Sequence, residues 1–365
     1  MSESDMSTPE EGGCDGRLRR RRQCEDPQCR VTRLPPHAFN LKQIYVGSET
    51  MGLTWALSDG RAGNARQAEA LARTLQSEGF QAIHLQPKAP WRWAAPRRLP
   101  GARQAFGAPF DRQLQQPPAL AIGCGRQAAL ATRLLRGRGS RSVQILDPRL
   151  DPRHWDLLVV PEHDTLRGGN VLTLLGSLHP VDDAWLAAGR AAFPAVARLP
   201  GPRLALLIGG PTDQVPWTSQ ALAALCTRVS AHLRTLGGSL LVTTSRRTPG
   251  DAIAALRAAC AGLPHLLWCD ERDGPNPYAG LLGWADAIVA SADSVNLLSE
   301  ACATRVPVAA AFAEQARGRV DTYLQALRQR QRLHPVDEVL ASAVDIVPVR
   351  ETERIAMQVR ARLLP

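Results

Sequence analysis

The sequence predicts an α/β protein of two Rossmann-like, doubly wound domains facing a cleft, preceded by a disordered N-terminal tail. Three observations predict it. The chain has 365 residues, which fits two domains of roughly 150 residues better than a single core. Short apolar runs alternate with helix-period segments in both halves, the signature of parallel sheets covered on both faces. Between the halves, Pro194, Pro200, Gly201 and Pro202 cluster as an interdomain linker.

Residues 1–50 show no hydrophobic periodicity and are expected to be disordered. Met51 directly precedes the first apolar run, so the tail reads as an extension upstream of the folded part. The first domain is expected over 51–195. Leu53–Leu57 is its first strand, the loop Ser58-Asp59-Gly60-Arg61-Ala62-Gly63-Asn64 follows, and Ala68, Leu71, Ala72 and Leu75 then share one helix face. Further strands are expected at Phe80–Leu85, Ala119–Ile122, Val143–Leu146 and Leu157–Val160, with a Pro-, Arg- and Trp-rich interruption at 87–118. The second domain is expected over 196–350. Its strands are Leu204–Ile208, Ser239–Thr243, His265–Trp268, Ala287–Ala290 and Val306–Ala310, with helices near 218–236, 251–261 and from 294. A last helix is expected over 351–365.

Composition narrows the class. Hydrophobic residues make up 44% and charged residues 21%, so the bulk of the chain is globular. No run approaches the ~20 apolar residues of a membrane span, and no signal-peptide core follows the arginines at 17–22. Cys124, Cys226, Cys260, Cys269 and Cys302 stand singly in apolar segments and read as reduced core residues. Cys14, Cys24 and Cys29 lack the spacing of a zinc site. These features imply a cytoplasmic protein that touches a membrane at most from its face.

The net charge of +10 is uneven. Residues 1–50 carry eight basic and eight acidic side chains and contribute nothing to it. In 85–115, Lys88, Arg92, Arg97, Arg98, Arg103 and Arg112 face Asp111 alone, and 126–149 is similarly rich in arginine. A basic face attracts phosphate-rich partners; a solvated arginine surface is the plainer alternative. With Trp91 and Trp93, the 85–115 stretch is a candidate for docking on an anionic membrane. Nucleic acid is not an expected partner.

Candidate chemistry lies at the carboxyl ends of the strands, where such folds bind ligands. In the first loop, Gly60 and Gly63 permit tight turning, and the helix containing Gln67 offers free N–H groups to an anion; alternatively Asp59 or Asn64 caps that helix. Gly209 and Gly210 end the first strand of the second domain and allow close approach by a ligand or by the facing domain. Ser245, Arg246 and Arg247 end the next strand with a hydroxyl and two guanidiniums suited to phosphate. Asp293 or Ser294 can cap the helix starting at Val295, and Glu300 lies about two turns along it, placed to accept hydrogen bonds from ribose hydroxyls. Asn276-Pro277-Tyr278 is expected to shape the same cleft. His163, flanked by Glu162 and Asp164, can act as a base or stand as a structural residue. HExxH, Walker, GxSxG and paired CxxC motifs are absent, which argues against zinc hydrolase, NTPase and serine hydrolase chemistry.

The segments WALSDGRAGNARQ, QILDPR, VVPEHD, LLIGGPT, TTSRRTP, NPY and ADSVNLLSEACATRVPV stand in that order over about 53–315. Together they resemble the ELM1 family, known from a plant mitochondrial-fission factor. The resemblance implies a glycosyltransferase-B-like fold and transfer of a sugar from a nucleotide donor to a lipid-linked or cell-envelope acceptor, without a metal and with no cofactor beyond the nucleotide sugar. It implies that Arg246, Ser294, Val295 and Glu300 hold the donor, and that Asp59, Gly60, Gly63 and Asn64 meet the acceptor or assist catalysis, with Asp59 or His163 as base. One departure is Ala303-Thr304-Arg305-Val306-Pro307, where the family pattern has a glycine before the basic residue. The plant member implies a second reading, a non-catalytic adaptor at a membrane surface. A nucleotide-sugar epimerase ranks third, since a GxGxxG turn and a Tyr-x-x-x-Lys pair are both missing.

Overall fold

The computed structural model describes residues 53–76, 79–341 and 345–364, so the expectations for the tail over 1–50 lie outside the described residues. Two parallel sheets organise the described chain. The first contains β1 (Thr54–Ser58), β2 (Phe80–His84), β3 (Leu120–Cys124), β4 (Arg141–Ile145), β5 (Leu157–Pro161) and β6 (Val171–Leu174), in the order β2-β1-β3-β4-β5-β6. Its helices are α1 (Ala62–Leu75), α2 (Trp91–Ala94), α3 (Gly107–Gln113) and α4 (Arg126–Arg136), with α5 (Asp183–Ala192) leading out of this half. The second sheet contains β7 (Arg203–Ile208), β8 (Ser239–Thr244), β9 (His265–Trp268), β10 (Ala287–Ser291) and β11 (Val308–Ala311), in the order β11-β10-β7-β8-β9. Around it lie α6 (Ser219–Leu236), α7 (Gly250–Cys260), α8 (Tyr278–Trp284), α9 (Val295–Cys302) and α10 (Gly318–Gln329); α11 (Glu351–Leu363) follows.

The central strands β1, β3, β5 and β10 are buried at every position, as strands covered on both faces must be. One face of the first sheet packs Ala56, Ile122 and Val143 beneath Ala68, Leu71 and Ala72 of α1. The other packs Leu57 and Ala121 beneath Leu130 and Leu134 of α4.

Three features differ from, or add to, the sequence expectation. The strand β6 was not expected: its four residues alternate between half-buried and buried at the sheet edge, so no continuous apolar run marks it. The helix α11 returns to the first half, where Ile355, Ala356 and Val359 join the core of α1 and the Arg360 guanidinium donates to the Leu75 carbonyl at 2.9 Å. Helix α5 precedes the Pro/Gly-rich linker, yet its Leu186 belongs to the second core.

Close packing of α5 on α8 rests on glycine. A Cβ on Gly189 would lie 2.4 Å from the Ala279 carbonyl oxygen, and one on Gly280 would lie 2.7 Å from the Phe193 Cβ. A backbone carbonyl cannot rotate away as a side chain can. Gly189→Ala should therefore cost about 1–3 kcal/mol, read as a lower urea midpoint at unchanged m.

The turn after α9, where the family's glycine is missing, has no residue with positive φ between Ala303 and Val306. Instead, its carbonyls are held by arginines. Arg332, only 2% exposed, donates to Cys302 O at 3.1 Å, Thr304 O at 2.8 Å and Val306 O at 3.2 Å. Arg350 donates to Ala303 O at 3.1 Å. Helix ends need such partners for their orphan carbonyls.

Candidate functional site

In open parallel sheets the ligand crevice lies beyond the carboxyl ends of the strands, where the strand order reverses. The first sheet reverses between β1 and β3. Asn64, in the first turn of α1, fills that crevice: it accepts from the Cys124 Sγ at 3.7 Å and donates to the Asp59 carboxylate at 3.0 Å. Gly125, at φ +88°, leaves room for it; a Cβ there would sit 2.5 Å from the Asn64 Nδ2. Asp59 also accepts from the Arg61 backbone N–H at 3.2 Å, which orders the loop. It does not cap α1, whose N-cap residue Arg61 makes no side-chain cap bond. Gly60 turns through φ +77° with open space around it, and the buried Gln67 bonds back to the Gly63 carbonyl.

The second sheet reverses between β7 and β10. Here the buried Asp293 carboxylate accepts from Gly210 N, Trp217 Nε1 and Arg247 Nη2, each at 3.0 Å, and Gly209 N donates to Ser291 Oγ at 2.8 Å. A Cβ on Gly209 would be 2.1 Å from the Asp293 carboxylate. Gly209 thus makes room for the protein's own aspartate, and Gly210 for the Arg247 backbone, whose carbonyl oxygen would lie 2.3 Å from a Cβ there. Ser294 caps α9 by accepting from Leu297 N at 3.3 Å, and Val295 opens the helix. Ser245 accepts from Arg247 N at 3.1 Å. While Arg247 is tied to Asp293, the neighbouring Arg246 is exposed and has no ion-pair partner among the described residues.

The two crevices meet through α1 and α9. A Cβ on Gly63 would lie 2.3 Å from the Asn296 amide nitrogen. One turn on, Arg66 Nη1 donates to both Glu300 oxygens at 2.7 and 2.8 Å, a charge-assisted pair. The Tyr278 hydroxyl also donates to Glu300, the Arg66 guanidinium lies 5.2 Å from the Tyr278 ring centroid, and Asn276 holds Tyr278 by accepting its backbone N–H at 3.0 Å. The Glu300 side chain is 2% exposed and that of Arg66 38%. Glu300 raises the Arg66 pKa above its ordinary value, and burial, then Glu300, pushes the Tyr278 phenol well up. Both stay protonated at neutral pH.

His163 follows β5, with its ring 5.5 Å from that of Tyr323 and its Nδ1 buried without a hydrogen-bond partner. Burial lowers its pKa, against the opposing pull of Asp164, so the ring is neutral and able to accept a proton. Asp59 and His163 follow strands three spacings apart, about 14 Å, so they cannot serve one reacting atom together. Arg66 and Asn296 were not among the sequence candidates, and Tyr278 was expected to shape the cleft but not as a partner of Glu300. Arg66 lies in the same loop-helix segment as the candidates, but nothing local shows that its partner is 234 residues away.

The 85–115 stretch folds over the outer face of the first sheet, burying Ala95, Ala105 and Phe110. Trp93 remains 70% exposed beside exposed Arg92 and Arg97. Among the described residues, no group of three or more His, Cys, Asp or Glu could hold a metal ion, and no helix is long and apolar enough to cross a membrane. Cys124, Cys226, Cys260, Cys269 and Cys302 are free thiols, all but Cys269 buried. Burial pushes Cys226 up to about 11 and Cys260 to about 12, far from thiolate reactivity.

A sequence profile of the mitochondrial fission ELM1 family matches residues 62–363. The chain is similar to the mitochondrial fission protein ELM1 of Arabidopsis thaliana, 28% identical over 276 residues, or 67% of this chain and 64% of the plant protein; the match spans less than two thirds of that relative. Among solved structures, the UDP-GlcNAc 2-epimerase from Methanocaldococcus jannaschii superposes with a TM-score of 0.50 at 13% identity, covering 85% of this chain and 99% of the epimerase. MurG of Acinetobacter baumannii gives 0.45 at 15% identity, covering 85% and 99%.

Proposed function

We propose, from the premise that the chain belongs to the mitochondrial fission ELM1 family, that it transfers a sugar from a nucleotide donor held by its second half to an acceptor met by its first. The glycosyltransferase-B-like fold supplies the frame. The observation that carries the reading is the meeting of the two switch-point crevices through α1 and α9, with a Ser-capped helix on the donor side and an uncapped one on the acceptor side. The donor diphosphate would lie at the start of α9, near Ser294 and Val295, with Arg246 as the free cation and Ser245 beside it. A helix N-terminus and a guanidinium can stabilise a leaving diphosphate without a metal. Glu300 would take the ribose hydroxyls only when Arg66 yields it. On the acceptor side, the uncapped first turn of α1 at Gly63 offers backbone N–H groups, while the Gly60 N–H is already given to Ser58 Oγ at 3.3 Å, and neutral His163 or Asp59 would take the acceptor's proton.

Thermal shift with UDP-, GDP-, ADP- and CMP-sugars tests this. One donor class should stabilise the protein, by about 2.7 kcal/mol at one hundred times its Kd, and Arg246→Ala should remove most of that gain while leaving the unliganded melting temperature unchanged. If none of the four classes binds at millimolar concentration, the transferase reading falls. A second reading would then stand: an adaptor working at an anionic membrane surface, favoured by the exposed Trp93 among arginines. That position also suits a transferase whose acceptor is lipid-linked.

A further inference from the structure

The first sheet has a second concave site at its opposite, amino end, one strand length or about 16 Å from the cleft loops. Arg133 and Arg136 end α4, Gly137–Ser140 turn the chain into β4 at Arg141, and His154 and Asp156 precede β5. With Arg98, from the segment after α2, they line a pocket of about 440 Å³. Its charge is unbalanced: four guanidiniums, of Arg98, Arg133, Arg136 and Arg141, face one carboxylate, Asp156. That carboxylate is already engaged at both oxygens. One oxygen accepts from Arg136 Nε at 3.0 Å, and the other from the backbone and hydroxyl of Ser142 at 2.8 and 2.9 Å. Neither Arg98 nor Arg141 has an ion-pair partner among the described residues.

The cations are also held in place. Arg133 is pinned by donating to the Pro96 carbonyl at 2.6 Å and by the Trp155 ring, whose centroid is 5.8 Å from its guanidinium carbon. Arg136 is fixed by Asp156 and by the Arg153 carbonyl at 2.9 Å. The carbonyl end of α4 offsets only about half a unit charge. Solvation would favour splaying such arginines apart. We propose that this pocket is an anion site for a compact phosphate dianion, a phosphomonoester or a diphosphate, separate from the sugar-transfer cleft.

Burial, then repulsion from Arg98, lowers the Arg133 pKa, and burial, then Arg133, lowers that of His154. An anion seated among them would relieve that repulsion, so the His154 ring provides a local reporter.

The test uses the full chain and three probes: inorganic pyrophosphate and glycerol 3-phosphate by calorimetry, and phosphatidate-containing against pure phosphatidylcholine vesicles by co-sedimentation. Arg98→Gln/Arg141→Gln is compared with Arg73→Gln/Arg362→Gln, which removes the same charge from exposed positions of the same half, outside both the pocket and the 85–115 stretch. The expected result is binding that the pocket pair weakens by about tenfold per guanidinium and the control pair leaves within twofold, with an anion-dependent shift of the His154 NMR signal. Binding of the soluble probes makes the source a free phosphorylated molecule; binding of phosphatidate vesicles alone makes it a lipid headgroup. Equal loss in both pairs, meaning unspecific surface charge, or no binding of any probe at 5–10 mM overturns the site. Each variant's unfolding curve is recorded, and the single variants Arg98→Gln and Arg141→Gln carry the comparison if the double variant fails to fold.

Discussion

Arg66→Ala should destabilise the protein by about 3–5 kcal/mol, because it leaves the Glu300 carboxylate, 2% exposed, buried without its counter-charge. Glu300 meets Arg66 through two short bonds and takes the Tyr278 hydroxyl as well; once Arg66 is gone, only that hydroxyl remains. Glu300→Ala should cost less, since the stranded Arg66 side chain is 38% exposed and can take up water. A double-mutant cycle measured by urea unfolding should give a coupling of at least about 1.5 kcal/mol between them. A value below about 0.5 kcal/mol would mean that the pair is only an exposed contact. The same pair governs donor binding under the transferase reading. A ribose can reach Glu300 only after Arg66 lets go, so the latch energy is subtracted from donor affinity. Arg66→Ala should therefore bind the nucleotide sugar more tightly than the parent, whereas Glu300→Ala should lose it. Weaker binding in Arg66→Ala would place Arg66 among the donor's own contacts.

Arg332→Met is the second large effect. The substitution roughly keeps the side-chain volume but removes the donor for the Thr304 and Val306 carbonyls, while Cys302 O keeps the Val349 N–H at 2.9 Å. Each buried carbonyl left without a partner costs about 1–3 kcal/mol, and a loss of about 3–5 kcal/mol in chemical unfolding is expected. Arg332→Lys should recover little, because one ammonium cannot span Cys302, Thr304 and Val306 as the planar fork does. A Met variant within about 1 kcal/mol of the parent would show that water replaces the guanidinium at no cost. The effect matters for the site because α9 carries Ser294, Asn296 and Glu300 on a helix of only eight residues, too short to hold its own direction.

Both sheets were legible because β1, β3, β5, β7, β8 and β10 are covered on both faces and write themselves as unbroken apolar runs. The exposed edge at β6 left no such run. The loops at the carboxyl ends of the strands were legible too, through their glycines and hydroxyls. What those glycines accommodate was not. Gly209 suggested room for a ligand, yet Asp293 occupies that space, and a sequence does not distinguish a side chain arriving from 84 residues away from a bound phosphate. The Arg66–Glu300 pair escaped for the same reason: each residue is ordinary on its own helix, and only the approach of α1 to α9 makes the two one feature. The arginine pocket was visible as an excess of charge over 126–149, but Arg98 joins it from outside that window.

The return of α11 to the first core sets an order of events during synthesis. Ala68, Leu71 and Ala72 of α1 are among the first apolar residues of the described chain to leave the ribosome, and Ile355, Ala356 and Val359, which pack with them, are among the last. The second half has all its strands before α11 is made and can close first. The first half must wait with an apolar strip of α1 open until α11 emerges. For that interval the part of the described chain made first is its least finished part, and the place where a chaperone would be needed.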